Sequence, residues 1–218
     1  MTLDELKLEF DRVEAAQCCR NLIGTMSYYE SATRSKDTVE LWANREDDVL
    51  YMPWGAYYGI EGVKDCYLKD IGDRNDPEIL EKLKGIMNIR EVDTCVVEVS
   101  GDNKTARGCW MSPGCGTAIR ETTGKPQAEW QWRKICADFI NEQGSWKIWK
   151  LHIYPMVTAG FETCWTEYKE PLIEQYTFPR AKALPKENWY LSKDLVYPND
   201  QPIVPTPYQT YSDLPDFA

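Results

Sequence analysis

The sequence predicts an α+β fold: N-terminal helices packed in a strongly curved, mostly antiparallel sheet (an α+β cone or barrel), with an extended C-terminal arm. Three observations predict it. Apolar residues near the N-terminus recur at three and four, the helical spacing. From Gly85 onward they fall in long segments rich in Val, Ile, Trp and Tyr, separated by short turn signals. Beyond residue 165 the periodicity is lost, and eight of the thirteen prolines collect there. Helices first and strands after argue for α+β rather than a parallel α/β sheet.

Taken in order, residues 3 to about 33 read as a helix. Thr2 followed by Glu5 has the capping-box spacing. Leu6, Phe10, Val13, Gln17, Leu22, Ile23 and Met26 recur at three and four, and Gly24 weakens the middle, which allows a bend or two helices. A second helix is expected over 36–45, with Val39 and Trp42 facing in. Asp48 to Trp54 reads as a strand with Leu50, Met52 and Trp54 on one side. Gly55 and Gly59 then signal a turn, followed by a helix near 61–71 and a short one over Pro77–Leu83. The four long segments Ile86–Val99, Thr105–Arg120, Ala128–Asn141 and Ser145–Val157 predict an antiparallel meander. Their turns are Ser100–Asn103, Thr123–Pro126 and Gln143–Gly144. Pro113, Gly114 and Gly116 suggest a bulge or bend that lets the sheet curl. Residues 1–165 are thus read as one domain and 166–218 as an arm. The arm's Trp189, Tyr190, Tyr197, Tyr208, Tyr211 and Phe217 are too apolar for a purely solvated tail, so it is expected to pack on the body or on a neighbouring subunit.

Composition excludes several classes of function. Twenty-five basic residues against thirty-five acidic ones leave a net charge of −10. Phosphate backbones and anionic membrane surfaces both require a basic face, so neither nucleic acid nor membrane is an expected partner. No basic segment followed by an apolar one opens the chain, and no stretch is apolar enough to span a bilayer, so a cytoplasmic location is expected. The eight cysteines match no metal-ligand spacing and are expected to be reduced thiols. No glycine-rich nucleotide loop appears, and no cofactor or metal is expected. Nine Trp and thirteen Tyr suit a core or the wall of a pocket for a small hydrophobic or aromatic ligand.

Four stretches carry a family resemblance: Tyr28-Tyr29 near the end of the first helix; Trp54-Gly55-Ala56-Tyr57-Tyr58-Gly59-Ile60-Glu61-Gly62; Asp102–Trp110 running into Ser112-Pro113-Gly114; and Trp130-Gln131-Trp132, Asp138-Phe139 and Gly144–Trp149. In order and spacing, over about residues 5–165, they resemble the SnoaL-like family of the nuclear transport factor 2-like superfamily. The resemblance implies a cone whose open end holds a small hydrophobic ligand, and a dimer or trimer. Family members include dehydratases, isomerases, dehydrochlorinases, cyclases and lyases, and also binding domains without chemistry. Fold alone does not choose among them.

Candidate site residues follow from side-chain chemistry. His152 is the single histidine, and alternation puts it with Lys150 and Tyr154 on one strand face. It can act as a base, or serve as a hydrogen-bonded structural residue. Arg90 falls near where many relatives carry a histidine, and Tyr29–Thr33 offers no aspartate to complete the family's His–Asp pair. Arg90 cannot be a base, but it can hold a carboxylate or an oxyanion. Tyr28, Tyr29, Tyr57 and Tyr154 can polarise a carbonyl, and Asn88 shares a strand face with Arg90. Trp54, Trp110, Trp130 and Trp132 can supply flat walls, although core packing is their ordinary use. The expected function is a cofactor-independent lyase or dehydratase, or an isomerase, moving a proton on an aromatic or polycyclic carbonyl or hydroxyl compound. His152, Arg90, Tyr29 and Tyr154 are its expected catalytic groups. The alternatives are a non-catalytic carrier and an assembly subunit.

Overall fold

The computed structural model describes residues 1–119, 125–162, 165, 178–185 and 201–217. Helix α1 (Leu3–Ser31) opens on the Thr2–Glu5 capping box and runs unbroken past Gly24. Its buried stripe is Ala15, Cys19, Ile23 and Met26. Leu6, Phe10 and Val13 are mostly exposed, and the buried stripe begins only at Ala15. Helix α2 (Ser35–Glu40) ends earlier than expected. The chain there straightens to pair with the sheet: Ile148 donates its N–H to Leu41 at 3.0 Å, and Trp42 bridges Ile148 in parallel. Val39 packs against the core and Trp42 lies within it.

Strands β1 (Val49–Met52) and β2 (Gly55–Tyr58) form a hairpin where a strand and a turn were expected. Helix α3 (Gly59–Lys64) continues as one π-helical stretch, Asp65–Ile71, before α4 (Pro77–Lys82), which has Pro77 in its first turn and whose N-cap Asp76 accepts a hydrogen bond from the Glu78 N–H. The expected strand over 86–99 is two, β3 (Asn88–Arg90) and β4 (Asp93–Val99). Then come β5 (Thr105–Ile119), β6 (Pro126–Glu142) and β7 (Ser145–Gly160). The expected turn at Thr123–Pro126 lies partly outside the described residues, as do Arg120, Trp189, Tyr190 and Tyr197.

The seven strands form one mixed, curled sheet in the order β2-β1-β7-β6-β5-β3, with β4 also paired to β5. All pairings are antiparallel except β1 with β7. No bulge interrupts β5 at Pro113–Gly116, where one or a bend was expected: β5 keeps its register with β6 throughout and changes its other partner there, from β4 to β3. The β6–β7 register shifts twice, each time by one extra β7 residue, Trp149 and Met156. These bulges help curl the sheet around α1. The inner face carries Ile135, Ala137, Phe139, Ile148, Leu151 and Ile153, packed with α1 into the main core.

The outer face is covered as well. Segment 201–217 crosses it: Tyr208 is buried, Gly101 and Asp102 donate N–H groups to the carbonyls of Tyr208 and Gln209, and Phe217 packs on Cys109, Cys136 and Tyr154. The described part of the arm therefore lies on its own body. A second short piece, 178–185, pairs Lys182 with Ala56 of β2. Gly55 permits that approach, since a Cβ there would sit 2.7 Å from Ala181 and from the Lys182 carbonyl.

Candidate functional site

A cavity of about 450 Å³ is lined by the end of α1, β3, the start of β6 and the end of β7. Its volume lies in the range of small-molecule sites. One wall is apolar: Met52, Pro53, Trp54, Ile71, Ile153 and Pro155. Phe178 also lines the cavity and stacks on Trp54 with ring centroids 4.3 Å apart. The floor is charged. Arg90 and Arg133 enter it from β3 and β6, Glu30 from the end of α1, and Glu129 from β6.

Arg90 is positioned by glycine. A Cβ on Gly114 would meet the Arg90 side chain at 3.0 Å and the Ile89 carbonyl at 2.5 Å. Without one, the Arg90 stem lies flat along β5, and Nη1 donates to the carbonyls of Ile89 (2.9 Å) and Cys115 (3.1 Å). Ser27 of α1 donates to the Arg90 carbonyl, which fixes β3 against the helix. Arg90 is only 8% exposed, and its Nε has no hydrogen-bond partner. The Nε of Arg133 is likewise buried and unpartnered. Among the described residues no carboxylate lies within ion-pair distance of either guanidinium. Burial and the neighbouring Arg133 cation push Arg90 down to about 9, and burial lowers Arg133 too. Arg90 therefore remains a cation at neutral pH, as an arginine guanidinium does generally.

The carboxylates of the cavity are engaged elsewhere. Glu30 accepts a hydrogen bond from the Tyr67 hydroxyl at 2.9 Å. Burial and Glu30 itself hold that phenol well above its usual range, so Tyr67 is a neutral donor. Glu129 accepts from Gln131 Nε2. Asp70 accepts from the Tyr57 hydroxyl at 2.9 Å and pairs with Arg180 at 2.8 Å. Tyr57 in turn accepts from Trp54 Nε1 at 3.0 Å. Among the described residues no cluster of His, Cys, Asp and Glu is arranged to hold a metal ion, and no helix is long and apolar enough to cross a membrane.

The structure brings Arg90, Asn88 and Trp54 to the cavity, with Tyr57 directly behind Trp54. It places the other expected residues elsewhere. His152 and Tyr154 stack on each other, 3.7 Å between ring centroids, on the outer face beside Cys136 and Tyr51. The alternation expected for β7 holds, but Leu151 and Ile153 take the inner side. Trp130 and Trp132 also lie outside, in an aromatic group with Phe161 and Trp165. Trp110 is core, edge-on to Phe139. Tyr28 is 81% exposed, and Tyr29 lies under the Arg34 guanidinium, 4.3 Å from ring centre. Sequence reasoning missed Glu30, Tyr67, Glu129 and Arg133. The signal for the β6 pair was present: in Glu129-Trp130-Gln131-Trp132-Arg133 the polar set and the tryptophans alternate, and the polar set faces in.

No protein-family model matches the chain, and no curated protein matches it by sequence. Solved structures do match. A hexachlorocyclohexane dehydrochlorinase (LinA-type3) from Novosphingobium barchaimii superposes with a TM-score of 0.53 at 14% identity, covering 72% of this chain and 96% of that one. A putative scytalone dehydratase from Novosphingobium aromaticivorans gives 0.50 at 12% identity, covering 75% and 94%. An NTF2-like protein with a cystatin-like fold from the same organism gives 0.50 at 15% identity, covering 70% and 88%. At these identities the likeness is one of fold. The chain has the NTF2-like, cystatin-type α+β architecture that its motif order implied.

Proposed function

We propose that the chain is a cofactor-independent lyase or isomerase that moves a proton on a small aromatic or polycyclic carbonyl or hydroxyl compound held in the cone cavity. The observation that carries this reading is that the Glu30 carboxylate and two guanidiniums, those of Arg90 and Arg133, line one cavity. A carboxylate can take a proton from carbon next to a carbonyl. The electron pair left behind moves onto the carbonyl oxygen, and Arg90 stabilises that oxyanion. In a β-hydroxy compound the enolate then expels hydroxide, which leaves as water after taking up the proton. In an isomerisation the proton returns at another carbon. Tyr67 fixes the Glu30 carboxylate through its hydroxyl. The resemblance to the SnoaL-like family implies a pair that several of its members use, an aspartate on the first helix with a histidine on the strand. In this reading Glu30 would serve as the helix acid and Arg90 would stand near the histidine position, so that base and charge stabiliser are separate residues.

The test follows hydrogen exchange rather than a guessed product. Purified protein is incubated in deuterated water with aryl ketones and β-hydroxy aryl ketones, each with and without a ring carboxylate. NMR then follows deuterium entry next to the carbonyl and loss of water. Wild type is expected to catalyse one or both, Glu30→Gln to be slower by about a hundredfold or more, and His152→Ala to match wild type. If the whole panel stays inert although compounds bind, the cavity is a carrier's and the enzyme reading fails. An active Glu30→Gln would remove Glu30 from the mechanism.

A further inference from the structure

A single oxyanion needs one guanidinium, yet the cavity holds two. Buried charges are ordinarily paired, because each loses several kcal/mol of hydration and regains it only from a partner. Arg90 and Arg133 regain little. Arg90 spends Nη1 on two backbone carbonyls, and its Nε points to no acceptor. Arg133 makes no ion pair or hydrogen bond among the described residues, and its Nε is buried. Both line the same cavity. Glu30 and Glu129 are close enough to act on Arg90 electrostatically, but they are turned to Tyr67 and Gln131. Trp54 and Met52, with Ile153 and Pro155, give an apolar wall, and the one carboxylate near it, Asp70, is already paired with Arg180.

From this we infer that Arg90 and Arg133 form a clamp for a carboxylate carried by the ligand itself, so that the substrate is an apolar, ring-containing acid rather than a neutral compound. The guanidiniums present planar donors suited to carboxylate oxygens. The ring would lie against Trp54 under Phe178. This inference rests on the cavity being the ligand site proposed above, but not on any turnover there. Arg90 would then lie close to both the carboxylate and the developing oxyanion, with Arg133 serving the carboxylate alone.

Binding separates the two claims. Naphthoate and its uncharged isostere naphthamide are titrated into wild-type protein by calorimetry, with naphthalene sulfonate as a second anion. Naphthoate is expected to bind at least about tenfold more tightly than naphthamide, the scale of one charge-assisted hydrogen bond. Arg133→Met and Arg133→Gln, each checked for folding by circular dichroism, are expected to lose that preference while keeping affinity for naphthamide. Equal binding of acid and amide by wild type overturns the clamp without using any variant. So does retention of the preference by both folded variants. Sulfonate binding as tight as naphthoate would widen the ligand class to oxyanions at large and overturn carboxylate selectivity. A protein that prefers naphthoate but exchanges no hydrogen keeps the clamp and loses the proposed reaction; the reverse result keeps the reaction and loses the clamp.

Discussion

Two faces of one sheet each bury arginine, and they treat it in opposite ways. On the outer face Arg107 meets Asp138 through both ends of its fork, at 2.5 and 2.8 Å, and Asp138 is fully buried. Tyr211 of the arm donates to the same carboxylate at 2.6 Å, and Lys150 donates to Tyr211 at 2.9 Å. The remaining Arg107 nitrogen donates to the Pro215 carbonyl at 2.9 Å. Every charge there has a protein partner, and the network ties the arm to the sheet. On the inner face Arg90 and Arg133 have no carboxylate partner among the described residues, and a cavity stands where one would be. A completed buried ion network is architecture; an incomplete one beside an open cavity is a place for a ligand.

The comparison can be attacked at its strongest point first. Asp138→Ala should strand Arg107 in a covered site and cost about 3–5 kcal/mol, read from denaturant unfolding. A loss below 1 kcal/mol would mean that the outer network is solvated and that the contrast is false. Tyr211→Phe removes one hydrogen bond to a charged group and should cost about 1.5–3 kcal/mol. Limited proteolysis should at the same time cut the arm sooner, because the arm loses its anchor on Asp138.

Asp48 extends the rule to an acid. It is fully buried and outside the cavity; one carboxylate oxygen accepts from the Arg45 N–H at 3.2 Å, and the other has no partner. Burial pushes it up to about 7. An unfolded aspartate titrates near about 3.9. Between these values the folded state holds a proton that the unfolded state has released, so stability should fall as pH rises from about 4 to about 7. Asp48→Asn should flatten that slope and be more stable than wild type at pH 8 by about 1–2 kcal/mol, with little difference near pH 4. An equal difference at both ends, from thermal melts across the range, would show that Asp48 is not the titrating group.

Much of the fold was legible in the sequence because it rests on short-range signals. The Thr2–Glu5 cap, the punctuation at Ser100–Asn103 and Gln143–Gly144, and the period-two stretches each declare themselves locally. The site was less legible, because alternation sorts residues into two faces without saying which face is inside. Hydrophobicity usually decides, and on β6 it misleads. Around Ile135, Ala137 and Phe139 the apolar side faces in; a few residues earlier Glu129, Gln131 and Arg133 face in and the tryptophans face out. The alternation along β6 never breaks, so the polarity reverses while its register with β5 stays constant. On β7 the outer face is buried under the arm, so His152 is buried without facing the cavity. Glu30 lay within the helix stretch searched for an aspartate, one methylene longer than the residue sought.

Arg133→Met is the smallest of these changes in free energy and bears most directly on the contrast. Methionine fills much of the same volume and needs no partner. If Arg133 is held at an energetic cost for the sake of a ligand, its removal should stabilise the unliganded protein by about 1 kcal/mol, as replacing groups kept for function commonly does. The melting temperature should rise by a few degrees. Naphthoate, which should raise the melting temperature of wild type, should raise that of the variant far less. A structural arginine behaves otherwise: its loss lowers stability, as Asp138→Ala does on the other face. A fall in stability on the Asp138→Ala scale would therefore make the two faces alike, and the empty side of Arg133 would no longer point to a ligand.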